Sequence, residues 1–301
     1  MPHLNSAQLA AFAAIVAGGS FEAAGRALHV TASAISQRLK ALEDTLGQVL
    51  VVRGTPCRAT AAGQLLLRHA LQVSTLEEEL RLRLGMHGAE PARPVRLPVA
   101  VNADSLDGWF VEAASACCAH GGIALDLRVE DQGHSAALLR DGEVMAAISA
   151  SPAATQGCSV EYLGSMRYLA LAAPAFCNRY FAAGVDAATL AEAPVLVYNA
   201  KDRMQWDFMA AHGGSPDEPP AHFVPSTRAF VELAEQGLGW GMIPEHLAQA
   251  NVRSGALVEI VADRHIDVGL YWHRWQIAST PLATLSEAVR DAARRHLRAP
   301  A

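Results

Sequence analysis

The stretch SFEAAGRALHVTASAISQRLKALEDTLG, residues 20–47, decides the fold of the N-terminal part of the chain. It opens on Ser20, whose hydroxyl can accept from the free N–H groups of a first helical turn, with Glu22 near the positive end of the same helix. Phe21, Ala24 and Leu28 give that helix a narrow apolar face, about two turns long. His29-Val30 breaks the pattern, and Thr31 caps a further helix. There Ile35, Leu39, Leu42 and Leu46 share one face, and Gly47 stands where a helix C-terminus takes a left-handed glycine. At about 100° per residue, Ser33, Gln37 and Lys40 fall on the opposite side, with Ser36 beside them.

That polar face has two readings. Gln pairs bidentately with an adenine edge, and Ser, Arg and Lys reach guanine or phosphate, so the helix suits a major groove. The same face on an ordinary bundle helix is simply solvated. Working outward favours the first. Upstream, Leu9, Phe12, Ile15 and Val16 repeat at helical spacing from a cap at Asn5 or Ser6 to Gly18-Gly19. Downstream, Val49-Leu50-Val51-Val52 reads as a strand, Arg53-Gly54-Thr55-Pro56 as a turn and Cys57-Arg58-Ala59 as a returning strand. Three helices and a two-stranded wing make a winged helix-turn-helix. The candidate DNA contacts are Ser20, Thr31, Ser33, Ser36, Gln37, Arg38, Lys40, Arg53 and Arg58.

Bulk composition restricts the rest. The chain has 301 residues, 51% hydrophobic and 18% charged, enough for two or three packed domains. Its formal charge of −6 excludes a protein that coats nucleic acid along its whole surface, so any DNA contact is local. Five cysteines (Cys57, Cys117, Cys118, Cys158 and Cys177) form no CxxC, which fits reduced thiols better than a disulfide framework or a zinc site. The opening Met-Pro-His-Leu-Asn-Ser lacks a basic region followed by an apolar one, and no stretch is apolar for long enough to span a bilayer. The expectation is a soluble cytoplasmic protein without membrane contact.

Thr60 caps a long helix from about Ala61 to Leu84, where Leu66, Val73 and Leu80 repeat every seven residues with Leu76 between them. This is a coiled-coil seam, or else an amphipathic helix packed on its own domain. Residues 85–98 are rich in Gly and Pro and read as a hinge. Beyond it strands and helices alternate. Strands fall at 97–101, 123–129 and 144–149, with a helix from Leu106 to Ala119 capped by Asp104 or Ser105 and another near 135–139. A second run has strands at 168–171, 195–198 and 223–224, a helix near 227–236, late strands at 257–261 and 269–272, and a last helix over 281–297. That order implies parallel sheets in two α/β lobes, with a cleft where strand ends and helix N-termini converge.

The residues Gly19-Ser20-Phe21, Ala23-Ala24, Ala27-Leu28, Val30-Thr31, Ser33-Ala34-Ile35-Ser36, Leu42-Glu43, Leu46-Gly47, Arg53 and Thr60-Ala61-Ala62-Gly63 resemble the LysR-type transcriptional regulators. Further along, Val101-Asn102-Ala103-Asp104-Ser105, Glu130-Asp131-Gln132, Val197-Tyr198-Asn199-Ala200-Lys201-Asp202 and Gly237-Leu238-Gly239-Trp240-Gly241-Met242-Ile243-Pro244-Glu245 resemble the lysine- and arginine-responsive ArgP/LysG branch. The resemblance implies a winged helix-turn-helix over 1–60, a linker and dimerisation helix with its hinge over 61–90, and a periplasmic-binding-protein-like effector domain over 91–301. Within it, lobe I covers about 91–163 and 267–301, and lobe II about 164–266. It also implies a homodimer or homotetramer on double-stranded DNA, RNA polymerase as a partner, and control of basic amino-acid export or metabolism.

An amino-acid effector has a carboxylate suited to helix N-terminal N–H groups, here near Ser105 and Thr227. A cationic side chain wants an acid, and Asp104, Glu130 and Asp131 are the candidates. Asn102, Ser149, Asn199 and Ser226, at strand ends, can add neutral hydrogen bonds. Each of these residues also reads as a helix cap or a solvated loop position. An anionic effector such as an aromatic acid would want arginine in their place. A solute-binding protein or an enzyme on the same lobes leaves the first ~85 residues without a purpose. No GxSxG elbow, HExxH pair or GxGxxG register occurs, so neither an enzyme nor a cofactor or metal site is expected.

Overall fold

The computed structural model describes residues 4–85, 94–119, 121–130, 135–213 and 219–299. In chain order the head contains α1 (Ser6–Gly18), α2 (Phe21–Ala27), α3 (Ala32–Leu46), β1 (Val51–Val52) and β2 (Arg58–Ala59), followed by α4 (Ala61–Arg83). Local chemistry sets the ends of these helices. Asn5 Oδ1 accepts from Ala7 N at 2.8 Å, Ser20 Oγ from Ala23 N at 3.1 Å and Thr31 Oγ1 from Ala34 N at 3.2 Å. Each side chain satisfies one N–H group that its helix leaves open. Gly47 closes α3 in the left-handed conformation. The wing pairs Val51 with Ala59 and Val52 with Arg58, antiparallel, in strands shorter than the sequence suggests.

The head core holds Phe12, Ile15, Ile35, Leu39, Leu42 and Leu50, and α4 contributes Leu66, Leu67 and Ala70 to it. Burying each of the larger aliphatic side chains stabilises the head by about 1.5–3 kcal/mol. Gly63 permits this packing, because a Cβ there would lie 2.2 Å from the carbonyl oxygen of Leu50. One seam position is therefore corrected. Leu66 is spent inside the head, whereas Leu65, Leu76, Leu80 and Leu84 are exposed. Periodicity identified an apolar stripe but not which core takes it.

The remainder runs β3 (Val95–Val101), α5 (Ala103–Leu106), α6 (Phe110–Cys118), β4 (Ile123–Val129), α7 (Ser135–Arg140), β5 (Ala146–Ser149), β6 (Cys158–Ala172), α8 (Pro174–Tyr180), α9 (Ala187–Glu192), β7 (Val195–Val197), α10 (Met204–Ala211), β8 (Ala221–Phe223), α11 (Thr227–Glu235), β9 (Gly241–Pro244), α12 (Glu245–Ser254), β10 (Val258–Glu259), β11 (His265–Trp275) and α13 (Thr280–His296). The single helix expected over 106–119 is two helices, and α5 starts after Asn102 rather than at Asp104 or Ser105. Gly108 lies at the break, where a Cβ would come 2.2 Å from the ring of His246. Close approach of α12 replaces helix continuity at that point.

Two compact units emerge. One comprises Met1–Val101, Ala114–Glu161 and Trp272–Ala288; the other comprises Asn102–Ala113, Tyr162–Tyr271 and Val289–Ala301. In the first, β3 pairs parallel with β4 (Val95 with Ile123 through Val101 with Val129) and with β5 on its other side. In the second, β6 pairs antiparallel with β9 and β10, and β7 pairs parallel with β8. Parallel pairs with crossover helices are what the alternating pattern demanded. Among the described residues no single helix is long and apolar enough to cross a membrane.

Candidate functional site

On the head, Ser33, Gln37, Lys40, Arg53 and Arg58 are exposed, and Ser36 and Arg38 are half-buried. The opposite side of α3 is Ile35, Leu39 and Leu42, all sealed in the core. The outward face thus carries donors and acceptors without a role in folding. Ser20 and Thr31 differ, since their hydroxyls already cap α2 and α3. Arg53 lies over the Phe21 ring at 5.3 Å, which holds its guanidinium beside the start of α2.

In the second unit, a small pocket of about 30 Å³ is lined by Asp104, Tyr198, Asp202, Thr227 and apolar side chains of α10, α11, β9 and α12. Among the described residues its lining includes no lysine or arginine. The Tyr168 hydroxyl donates to Asp104 Oδ2 at 2.7 Å. Burial pushes the Asp104 carboxyl up to about 6; the Tyr168 hydrogen bond opposes this, and the negative charges of Asp202 and Asp107 add to it. Asp202 is fixed by donors from its own segment: Tyr198 N and Gln205 Nε2 at 3.1 Å to Oδ2, and Met204 N at 3.1 Å to Oδ1. Asp107 accepts from the Thr227 hydroxyl at the first turn of α11. Asp202, from a distant segment, and Asp107, three residues on in the same one, thus lie close enough to raise the proton affinity of Asp104, an effect that a cation relieves.

The other expected effector residues have varied positions. Ser105 is fully buried and its Oγ accepts from Trp109 Nε1 at 3.1 Å. Ser226 Oγ caps α11 by accepting from Ala229 N at 3.3 Å, and Asn199 Oδ1 accepts from Lys201 N at 2.8 Å. Asn102, 3% exposed, has neither side-chain amide atom hydrogen-bonded. An amide buried in that state calls for a partner the protein itself does not supply. Ser149, also buried, accepts from Ser151 N at 3.1 Å; it and the half-buried Glu130 belong to the first unit. Asp131 lies outside the described residues.

The sequence reading did not single out Tyr168, Asp107 or Asp202. Asp202 had a local signal, an acid just ahead of a helix start, but Tyr168 on a long strand had none.

Two family profiles match the chain: "Bacterial regulatory helix-turn-helix protein, lysR family" over residues 6–64 and "LysR substrate binding domain" over residues 96–294. The HTH-type transcriptional regulator LysG of Mycobacterium tuberculosis is 45% identical over 292 residues, 97% of this chain and 94% of that protein. The crystal structure of ArgP from Mycobacterium tuberculosis superposes with a TM-score of 0.86 at 44% identity, covering 99% of this chain and all (100%) of the other. Full-length LysG from Corynebacterium glutamicum with bound effector Arg gives a TM-score of 0.81 at 38% identity, covering 98% of this chain and 100% of the other.

Proposed function

The chain belongs to the LysR family of bacterial transcription regulators, and from that premise we propose that its effector is a basic amino acid, arginine or lysine, bound at the Asp104 pocket. The observation that carries this reading is Asp104 itself, a carboxyl raised to about 6 whose charged neighbours, Asp202 and Asp107, have its own sign. A guanidinium or ammonium group supplies the missing counter-charge. A pocket for an aromatic acid would need the opposite sign. The arginine in the Corynebacterium glutamicum LysG structure accords with this choice. The unpaired amide of Asn102 is a candidate for the effector's carboxylate or ammonium group.

DNA is read by α3, with Gln37 on base edges and Ser33, Ser36, Arg38 and Lys40 around it. Arg53 and Arg58 of the wing, and the N-termini capped by Ser20 and Thr31, hold the backbone. The head over 1–60, the linker over 61–90 and the effector domain over 91–301 act in a cytoplasmic homodimer or homotetramer that addresses RNA polymerase and does no catalysis of its own. Its target is a gene of basic amino-acid export or metabolism. The test is titration of the full-length protein onto the DNA upstream of its own gene, with and without arginine or lysine, at fixed salt. Selective binding that the amino acid alters is expected. Selective binding indifferent to both amino acids removes the effector assignment.

A further inference from the structure

Glu79 is a buried carboxylate, 7% exposed, near the C-terminal end of α4, beyond the part of that helix in the head core. The Thr280 N–H donates to both its oxygens, at 3.1 Å and 3.2 Å. Arg83 Nη2 donates to its Oε1 at 2.8 Å and also to the Thr280 hydroxyl. Thr280 is the first residue of α13. The linker helix therefore supplies, from a different element, the anion at the positive end of a 17-residue helix. Hydrogen bonds from Thr280 and the Arg83 charge outweigh the effect of burial and hold the Glu79 carboxyl below the usual range, so it is ionised at neutral pH.

The same helix is seated at two further points in the first unit. Arg68 Nη1 donates to the Gln156 carbonyl at 2.7 Å with its guanidinium 5.8 Å from the Trp275 ring, and Thr75 Oγ1, which donates to the Leu71 carbonyl, packs 3.6 Å from Met145 Sδ. Gly142 and Gly157 leave the room for this, since a Cβ at either would come within 2.8 Å and 2.1 Å of Arg68 atoms. At its other end α13 continues into the second unit. There Arg295 and His296 meet Glu112 at 2.7 Å each, and Arg298 meets Glu245, the first residue of α12, at 2.6 Å. α12 also supplies Leu247 to the pocket lining.

We propose that Glu79 is a positioning residue for the regulatory response: by capping α13 it ties the linker helix, and with it the reading head, to the helix that the effector-binding unit holds at its far end. The inference rests on the effector reading above. Glu79 touches neither DNA nor effector, so its loss should leave both bindings in place and remove the coupling between them.

The experiment compares the full-length parent with Glu79→Ala and Glu79→Gln. Arginine affinity is read by calorimetry. Affinity for the DNA upstream of the protein's own gene is read with and without arginine. In Glu79→Ala, arginine affinity and arginine-free DNA affinity should stay within about twofold of the parent, while the arginine-induced change in DNA affinity shrinks at least about fivefold. Glu79→Gln, which keeps an acceptor but loses the charge, should fall between. If Glu79→Ala loses its cooperative thermal transition, Glu79→Gln decides, and an undiminished response there overturns the proposal. A responsive parent with an equally responsive Glu79→Ala also overturns it and leaves the effector assignment standing. A parent that binds the DNA but ignores arginine and lysine removes the effector assignment and this proposal together.

Discussion

In the reading head, Ser33, Gln37, Lys40, Arg53 and Arg58 lie exposed on α3 and the wing, Ser36 and Arg38 are half-buried, and the core is apolar. In the second unit, Asn102, Ser105 and Thr227 are buried, Ser226 is an exposed helix cap, and Asp104 is held among like charges. The head is complete as folded, with its helix N-termini capped by its own residues, and it offers a finished surface. The pocket carries an unbalanced charge as folded, and the unpaired amide of Asn102 lies two residues from its central carboxylate. A surface that reads DNA can be fully satisfied beforehand, because water and ions occupy it until the duplex arrives. A pocket that senses a small cation gains its response from being unsatisfied without it.

The largest way to break this comparison is to attack the head core. Ile35→Ala or Leu39→Ala, both side chains buried in the head, should cost about 2–5 kcal/mol and abolish DNA binding. Arginine binding, measured by calorimetry on the same variant, should survive. Loss of arginine binding as well would mean that the two regions do not fold separately enough for the contrast to hold.

Asp104→Asn comes next. It removes a charge-assisted bond worth about 1.5–3 kcal/mol, so arginine affinity should fall roughly ten- to 150-fold while arginine-free DNA binding is unchanged. Gln37→Ala should reduce discrimination between operator and random DNA by about 1–3 kcal/mol. Arg53→Ala or Arg58→Ala should instead weaken both DNAs alike and lower the salt slope by about 1. An intact specificity ratio in Gln37→Ala would move base reading off the outer face of α3.

The mildest test uses pH. Burial raises the folded Asp104 carboxyl from its ordinary 3.8 to about 6, so the folded state holds the extra proton between those values. Stability from this group therefore rises as pH falls through 6, the reverse of an ion-paired aspartate. Cation binding needs the ionised form. Arginine affinity should be level above about pH 6 and drop as pH falls below it, up to about tenfold per unit. A flat profile from pH 7.5 to 5 would detach Asp104 from the cation.

The head was legible in the sequence because capping and helical periodicity act within a few residues. Ser20, Thr31, Gly47 and Thr60 announce boundaries that the structure keeps within about one residue. The pocket was only half legible. Asp104 could be named, but its partners come from 64 residues away for Tyr168 and, in the Thr227–Asp107 pair, 120 residues apart. No local pattern marks a side chain whose role is created by such distant packing. The glycine at the helix break, Gly108, is of the same kind, since the space a side chain would take there is filled by His246. In the linker, Leu66 is buried in the head core while its neighbour Leu65 and the seam residues Leu76 and Leu80 are exposed, and spacing alone does not say which surface takes each.

The effector assignment is tested most directly by calorimetry on the full-length protein at pH 7.5, with arginine, lysine, glutamate and benzoate titrated separately and the Asp104→Asn variant beside the parent. The expected result is heat from arginine or lysine, none from the two anions, and a response strongly weakened by the substitution. Binding of an anion with no binding of arginine or lysine would contradict it.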